Sequence, residues 1–316
     1  MKKQNVNWTM LCAATLMMGS VLFSGCNNGE NSITGADENS DGQVALRVNS
    51  DIQTRAAGNQ WSAQDAIGIY MVKTGTKTIA ESATNRKYIA QSAAASSEFT
   101  PDGTSNIIYF PVDGSNVDFL LYYPQQSLME NVYAIDVTSQ SNLPAIDLMT
   151  AKVTGQNKLV PAITPVFSHL LSKVELTIHA GEGLIATDLD NLEVMITKQR
   201  TQGSYNVLSE AMTITAGQNG ADVTLNTIAN GTKSEAILLP ASDGAGINPI
   251  ITGRQLTFTL QATGEVFKWN IPDEKQFAAG AKNIYDITIN RTPLGLTATI
   301  NDWTPGNGSG DSGSAE

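Results

Sequence analysis

Cysteine is nearly absent: the 316-residue chain carries two, Cys12 and Cys26. Both lie in the first 26 residues, so the rest of the chain holds no disulfide, thiol nucleophile or thiolate metal site. Histidine is as scarce, with only His169 and His179, too few for a zinc site of the multi-histidine kind. Basic residues are in deficit, 19 Lys+Arg against 30 Asp+Glu, a net charge of −11. That balance argues against nucleic acid and against anionic lipid held by charge. Long apolar runs are missing too. The most apolar stretch, residues 9–23 (TMLCAATLMMGSVLF), falls short of the roughly 20 residues a membrane-spanning helix needs.

What is present begins at the amino terminus. Lys2 and Lys3 form a basic n-region ahead of that apolar stretch. Ser24-Gly25-Cys26 then places two small residues before a cysteine, the pattern of a lipobox. The expectation is a signal peptide over 1–25, cleavage before Cys26, and lipid on the Cys26 thiol and its new amino group. Losing Lys2 and Lys3 moves the net charge from −11 to −13. Each buried CH₂ of an acyl chain contributes about 0.8 kcal/mol, so several chains anchor firmly without protein insertion.

Residues 26–42 are Asn, Gly, Ser and acid, and read as a flexible tether; 304–316 read the same way at the other end. Between them run short alternating segments. They include residues 44–48 (VALRV), 66–71 (AIGIYM), 107–110, 117–123 (VDFLLYY), 172–178 (SKVELTI), 256–262 (LTFTLQA), 284–289 and 296–300 (LTATI). Gly, Asn, Asp and Pro punctuate them. The period of two and the absence of any long stripe at 3.6 spacing predict an all-β protein, with sandwich packing. The strands are too many for one small sandwich. Two domains are expected, 43–162 and 163–303, divided near Pro161-Ala162-Ile163-Thr164-Pro165.

Few residues suggest chemistry. His169, among apolar neighbours, reads as a structural hydrogen-bonder. Gly310-Asp311-Ser312-Gly313 spells a serine-protease motif, but in a Gly/Ser tail without a scaffold. Asp37 to Gly42 opens like a calcium loop, yet Val48 stands where the bidentate Glu belongs. Asp65, Asp118, Asp147 and Asp302 lie near aromatics and strand ends without forming a pair that can be nominated as acid and base. Trp61, Trp269, Trp303, Tyr122 and Tyr123 read as sandwich core, or else as a sugar-stacking platform. No catalytic, metal or cofactor site is expected. Arg55, in Thr54-Arg55-Ala56-Ala57-Gly58, follows the first strand-like run as an accessible protease site; Arg47 competes but lies inside that run.

Several phrases in order carry a resemblance. They are Thr54-Arg55-Ala56 with Trp61, Asp65 to Tyr70, Phe110-Pro111, Val117-Asp118-Phe119 with Tyr122-Tyr123-Pro124, and Ile146 to Met149. Phe167 to Val174, Leu238-Leu239-Pro240, Phe277 to Gly280 and Ala298 to Trp303 follow. Together with the lipobox, the chain resembles the fimbrillin family of Bacteroidales, the lipoprotein-precursor pilins, over about residues 43–303. The resemblance implies two transthyretin-like β-sandwich domains in tandem and a fimbrial subunit that supports cell adhesion. It also implies delivery to the outer membrane by lipid (palmitate) on Cys26, and partners that are other fimbrial subunits or a host or bacterial surface ligand. An arginine-specific protease would cut after Arg55 and remove residues 43–54 as a strand. A donor strand would fill the gap, its candidate residues being Leu294, Leu296, Ala298, Ile300 and Trp303. The alternatives are an uncleaved anchor or tip subunit, or a glycan-binding surface lipoprotein.

Overall fold

A computed structural model describes residues 42–52, 60–215, 220–241, 252–273, 275–291 and 311–315, the side chains of Asp51, Ile52 and 311–315 excepted. Nearly all regular structure is β. The first half of the chain gives β1 (Arg47–Ile52), β2 (Ala66–Lys73), β3 (Arg86–Ala90), β4 (Ser96–Pro101), β5 (Val117–Tyr123), β6 (Val132–Asp136), β7 (Met149–Gln156), β8 (Ala162–Ile163) and β9 (Val166–His169). The second gives β10 (Ser172–Ala180), β11 (Glu193–Gln199), β12 (Gln202–Asn206), β13 (Ala211–Ile214), β14 (Ala221–Thr224), β15 (Asn226–Ile228), β16 (Lys233–Leu238), β17 (Gln255–Thr259), β18 (Val266–Asn270), β19 (Lys282–Ile289) and β20 (Asp311–Ala315). The α-helical content of the described residues is one turn, Leu143–Ile146.

Eight strands form the first sheet, in the order β4-β3-β2-β5-β7-β9-β1-β8. Because β1 also pairs with β4, the sheet closes on itself. Its interior is filled by Val44, Leu46, Val48, Ile67, Ile69, Phe99, Phe119, Leu121 and Phe167, with Trp61 at the centre of an aromatic cluster. Trp61 meets Phe99, Tyr123 and Phe167 edge-to-face at 5.0, 5.4 and 5.2 Å, the geometry the ring quadrupoles favour.

A second core lies on the outside of this ring. Tyr70, Val72, Leu120 and Tyr122 alternate with the inward residues of β2 and β5, and pack against Tyr133, Ile135, Tyr205, Met212 and Ile214 of the sheet β13-β12-β6. Strands β2 and β5 are therefore buried on both faces. This corrects the expectation of alternation at 117–123: every residue of VDFLLYY is buried, because both faces of β5 are covered. A third core joins the sheets β15-β16-β10-β19-β20 and β14-β11-β17-β18 through Val174, Leu176, Val194, Leu256, Phe258, Trp269, Tyr285 and Ile287.

The chain passes between the sheets at Leu170-Leu171. Both β8 and β9 still pair with β1, and β10 begins the sheet that contains β19. Of the Gly/Ser tail, Asp311–Ala315 pairs in parallel with β19; an edge strand's main-chain groups accept a partner whatever its side chains.

Candidate assembly groove

Alternation builds β1 and the residues just before it. Val44, Leu46, Val48 and Ser50 point into the first core and are 2, 4, 2 and 0% exposed, while Arg47 and Asn49 face solvent. The backbone is paired on both sides. On one side Val48, Asn49, Ser50 and Asp51 lie antiparallel to Phe99, Glu98, Ser97 and Ser96 of β4. On the other, Arg47 and Val48 run parallel to Ala162 and Ile163, then Asp51 and Ile52 to Val166 and Phe167. Upstream, Leu46 N donates to Ile108 O at 2.9 Å and Phe110 N to Val44 O at 3.0 Å.

Pro165 lies between β8 and β9, which both pair with β1, and has no N–H to offer that strand. The buried Ser50 hydroxyl donates instead to the Pro165 carbonyl at 3.0 Å, and Trp61 Nε1 donates to Ser50 O at 3.1 Å. Thus β1 is held by main-chain bonds on two edges, and the run entering it buries the apolar side chains of Val44, Leu46 and Val48 at alternate positions. Each such side chain contributes about 1.5–3 kcal/mol when fully buried. Withdrawing residues 44–52 would leave β4 and β8–β9 as facing unpaired edges above sockets for Val44, Leu46 and Val48. Such a slot accepts another strand by main-chain pairing, with specificity set by alternate side chains.

Of the residues singled out from sequence, Arg47 sits within β1 with its backbone bonded to Pro161 and paired with Ala162. Cys26, Arg55, Leu294, Leu296, Ala298, Ile300, Asp302 and Trp303 lie outside the described residues, as does the calcium-like run up to Asp41. Trp61, Trp269, Tyr122 and Tyr123 are 1, 3, 0 and 7% exposed. They are core, which removes the sugar-stacking platform they would have formed. Asp118 is a structural acceptor for Gly75 N, Gly155 N and Thr74 Oγ1. Burial opposes its ionisation, yet these bonds prevail and hold its pKa below the usual carboxylate value. Asp65 accepts from Tyr123 Oη at 3.1 Å. Burial first, then the neighbouring Asp65 charge, drive the Tyr123 phenol pKa well up, so Tyr123 remains a donor.

His169 is indeed a buried hydrogen-bonder, its Nδ1 lying 2.8 Å from Asp147 Oδ1. Nothing in the sequence spacing announces that pair; the pairing of Met149 with His169 across β7 and β9 creates it. Sequence reasoning also missed Lys173, 4% exposed, whose Nζ contacts Glu175 at 2.6 Å and Glu235 at 2.9 Å. Burial disfavours that ammonium, but the two carboxylates outweigh it and raise its pKa. Among the described residues, no three His, Cys, Asp or Glu side chains group as a metal site.

The architecture is a β-sheet protein in which the first described strand, β1, closes a sheet by pairing on both its edges. The sequence matches the Fimbrillin-like family over residues 54–303. It is 39% identical over 328 residues, covering 100% of both chains, to a Bacteroides uniformis protein named as a candidate fimbrium subunit, Fim1C. A crystal structure of a candidate cell adhesion protein from Bacteroides uniformis shares 37% identity at a TM-score of 0.70, covering 84% of this chain and all (100%) of that one. A Bacteroides ovatus counterpart, at 21% identity and TM-score 0.62 over 84% of this chain and 99% of its own, shares the fold. The chain belongs to the fimbrillin-like family, and its role is structural and not enzymatic.

Proposed function

We propose that this protein is a fimbrial subunit, exported as a lipoprotein through Cys26 and assembled at the cell surface by β-strand addition to support adhesion. The observation that carries this reading is the placement of β1. It is the first strand among the described residues, it completes a closed sheet, and with the segment leading into it places Val44, Leu46 and Val48 in the core and buries Ser50. Its downstream end is followed by residues 53–59, which include Arg55. A cut after Arg55 would separate β1 from the rest of the chain without breaking another strand of that sheet. The run 294–303, with Leu294, Leu296, Ala298, Ile300 and Trp303, alternates as a replacement strand must. Arg47 is the poorer site, because a protease binding it as an extended substrate must first strip β1 from its neighbours. The name of the full-length Bacteroides uniformis relative supports the same role. The three cores are compatible with two transthyretin-like domains, the first built on the closed sheet and the second on the β10 and β11 sheets.

In this account Cys26 delivers the precursor to the outer membrane, and the cut releases the folded part from its anchor. Amino-terminal sequencing of assembled fimbriae tests it. The expected first residue is Ala56. A first residue of Cys26 would refute cleavage and assign the chain to the anchor position instead.

A further inference from the structure

Six of the eight exposed large apolar residues among those described lie toward two ends of the molecule. Lys73 of β2 pairs with Val117 of β5, and Val117 with Gln156 of β7. Strands β7 and β9 meet at Met149 and His169, three residues before β10 begins. The loops 74–78, 111–116 and 157–161 therefore share the end of the closed sheet remote from β10. Val112, Leu159 and Val160 are each more than half exposed there. The Lys158 ammonium donates to the Val112 carbonyl and ties two of these loops together. Strands β10 and β19 run in parallel away from the junction and end at Ala180 and Ile289. Beyond them, Arg291 bonds to Gly183 O and to Glu265, joining the loop 181–192 to the turn 261–265. Ile185 and Val266 are more than half exposed at this second end, and Ile228, opposite Lys233, is exposed near it. A lone exposed apolar residue is ordinary, but a group of them marks an interaction surface.

The charges of the two ends oppose each other. At the first, Lys73, Lys77 and Lys158 face one surface carboxylate, Asp113; Asp118 is buried and held by three donors. At the second, Glu182, Asp188, Asp190, Glu193 and Glu265 outnumber Lys233 and Arg291. We infer that the two ends dock on each other in successive copies of this chain, the apolar, basic end of one seated on the apolar, acidic end of the next. The partner is a second copy because one chain carries both complementary faces. The faces differ and point away from each other, so the contact is heterologous: it does not close in a pair but propagates as a filament. Complementary potentials fix which ends meet and speed the encounter. The biological role of this contact rests on the fimbrial reading above, but its physics does not. It requires no cut at Arg55 and uses none of residues 44–52.

The test is sedimentation equilibrium of the full, uncut chain carrying Cys26→Ser, so that lipid does not drive association. This parent chain is expected to form oligomers that grow with protein concentration at low ionic strength and dissociate as salt is added. Lys73, Lys77, Glu182 and Asp190 are exposed, and their side chains make no hydrogen bond or ion pair among the described residues. Their charges can therefore be reversed without removing a bond of the fold, and circular dichroism checks that each variant is folded. K73E/K77E at one end, or E182K/D190K at the other, should weaken association at least about tenfold, because like charges then meet. An equal mixture of these two variants should associate, and the chain with all four substitutions should regain the association of the parent. A parent that stays monomeric at every concentration and salt overturns the contact. So does association that ignores the reversals, which would give these faces another occupant, or a quadruple variant no stronger than either double. The chain is uncut throughout, so failure here leaves cleavage and strand addition to the sequencing of assembled fimbriae.

Discussion

The side-chain amide of Gln140 occupies the place of a strand beside Ile237. Its Oε1 accepts from Ile237 N at 2.8 Å, and its Nε2 donates to Ile237 O at 3.0 Å. The Nε2 also donates to Val137 O at 2.6 Å. Strand β15 pairs with β16 only from Lys233 to Glu235, so Gln140 takes the next rung, 97 residues away in sequence. At 4% exposure there is no water to replace it. This bond ties the segment after β6 to the sheet built by the second half of the chain.

Gln140→Ala should therefore cost about 2–6 kcal/mol, because the buried Ile237 N–H and C=O are both left unpaired at roughly 1–3 kcal/mol each. The urea midpoint of unfolding measures it. Gln140→Glu, which sets a buried carboxylate oxygen against the Val137 and Ile237 carbonyls, should cost at least as much as alanine.

Gly68 faces the ring of Tyr122 in the register of β2 and β5. A Cβ built on Gly68 would stand 2.2 Å from Tyr122 Cε1 and 2.6 Å from Cζ. The ring cannot swing away cheaply, since its hydroxyl donates to Asn85 Oδ1 at 2.6 Å and sits 2.8 Å from Gln126 O. Gly68→Ala is expected to destabilise by about 1–3 kcal/mol through overpacking. In a double-mutant cycle, Gly68→Ala should cost less in a Tyr122→Ala background, because the obstructing ring is gone. Equal costs in both backgrounds would place the strain elsewhere.

Asp118 gives a pH signature. Its native pKa is depressed, since the bonds from Gly75, Gly155 and Thr74 outweigh the burial that opposes ionisation. A depressed native value means the stabilisation is complete above the unfolded carboxylate value, near 4, and is lost as pH falls through the native value. Asp118→Asn should thus be less stable than wild type at pH 7. The gap should narrow on acidification below about pH 4, as followed by denaturant unfolding at each pH. A gap independent of pH would mean that the charge of Asp118 contributes nothing.

Much of this fold is readable in the sequence, and the exceptions share a physical cause. Residues 66–71, 117–123, 172–178 and 284–289 lie in β2, β5, β10 and β19 because their apolar side chains are buried. Strands β4 (SSEFTP) and β12 (QGSYN) are pattern-poor, since their place is fixed by neighbours that pair with them. Residues 107–110 read as a strand but form only an isolated bridge, Ala45 with Tyr109, on the chain entering β1. The run around Val44 was legible as a strand, and its burial shows why the alternation matters. The two docking ends were not legible. Val112 meets Lys158, and Arg291 meets Gly183 and Glu265, across segments far apart in sequence, which no local spacing encodes.

The central claim is that β1 must leave its slot for subunits to join. Asn49 and Glu98 face each other across β1 and β4, and both are exposed. Antiparallel partners have Cα atoms about 4.5–5.5 Å apart, within disulfide range. The double variant Asn49→Cys, Glu98→Cys would lock β1 in place after the cut at Arg55. The decisive measurement is polymerisation of the cut, locked chain, read as SDS-resistant multimers before and after reduction. The account predicts monomer while the disulfide is intact and multimers once it is reduced. Multimers that form equally well with the lock closed would contradict it.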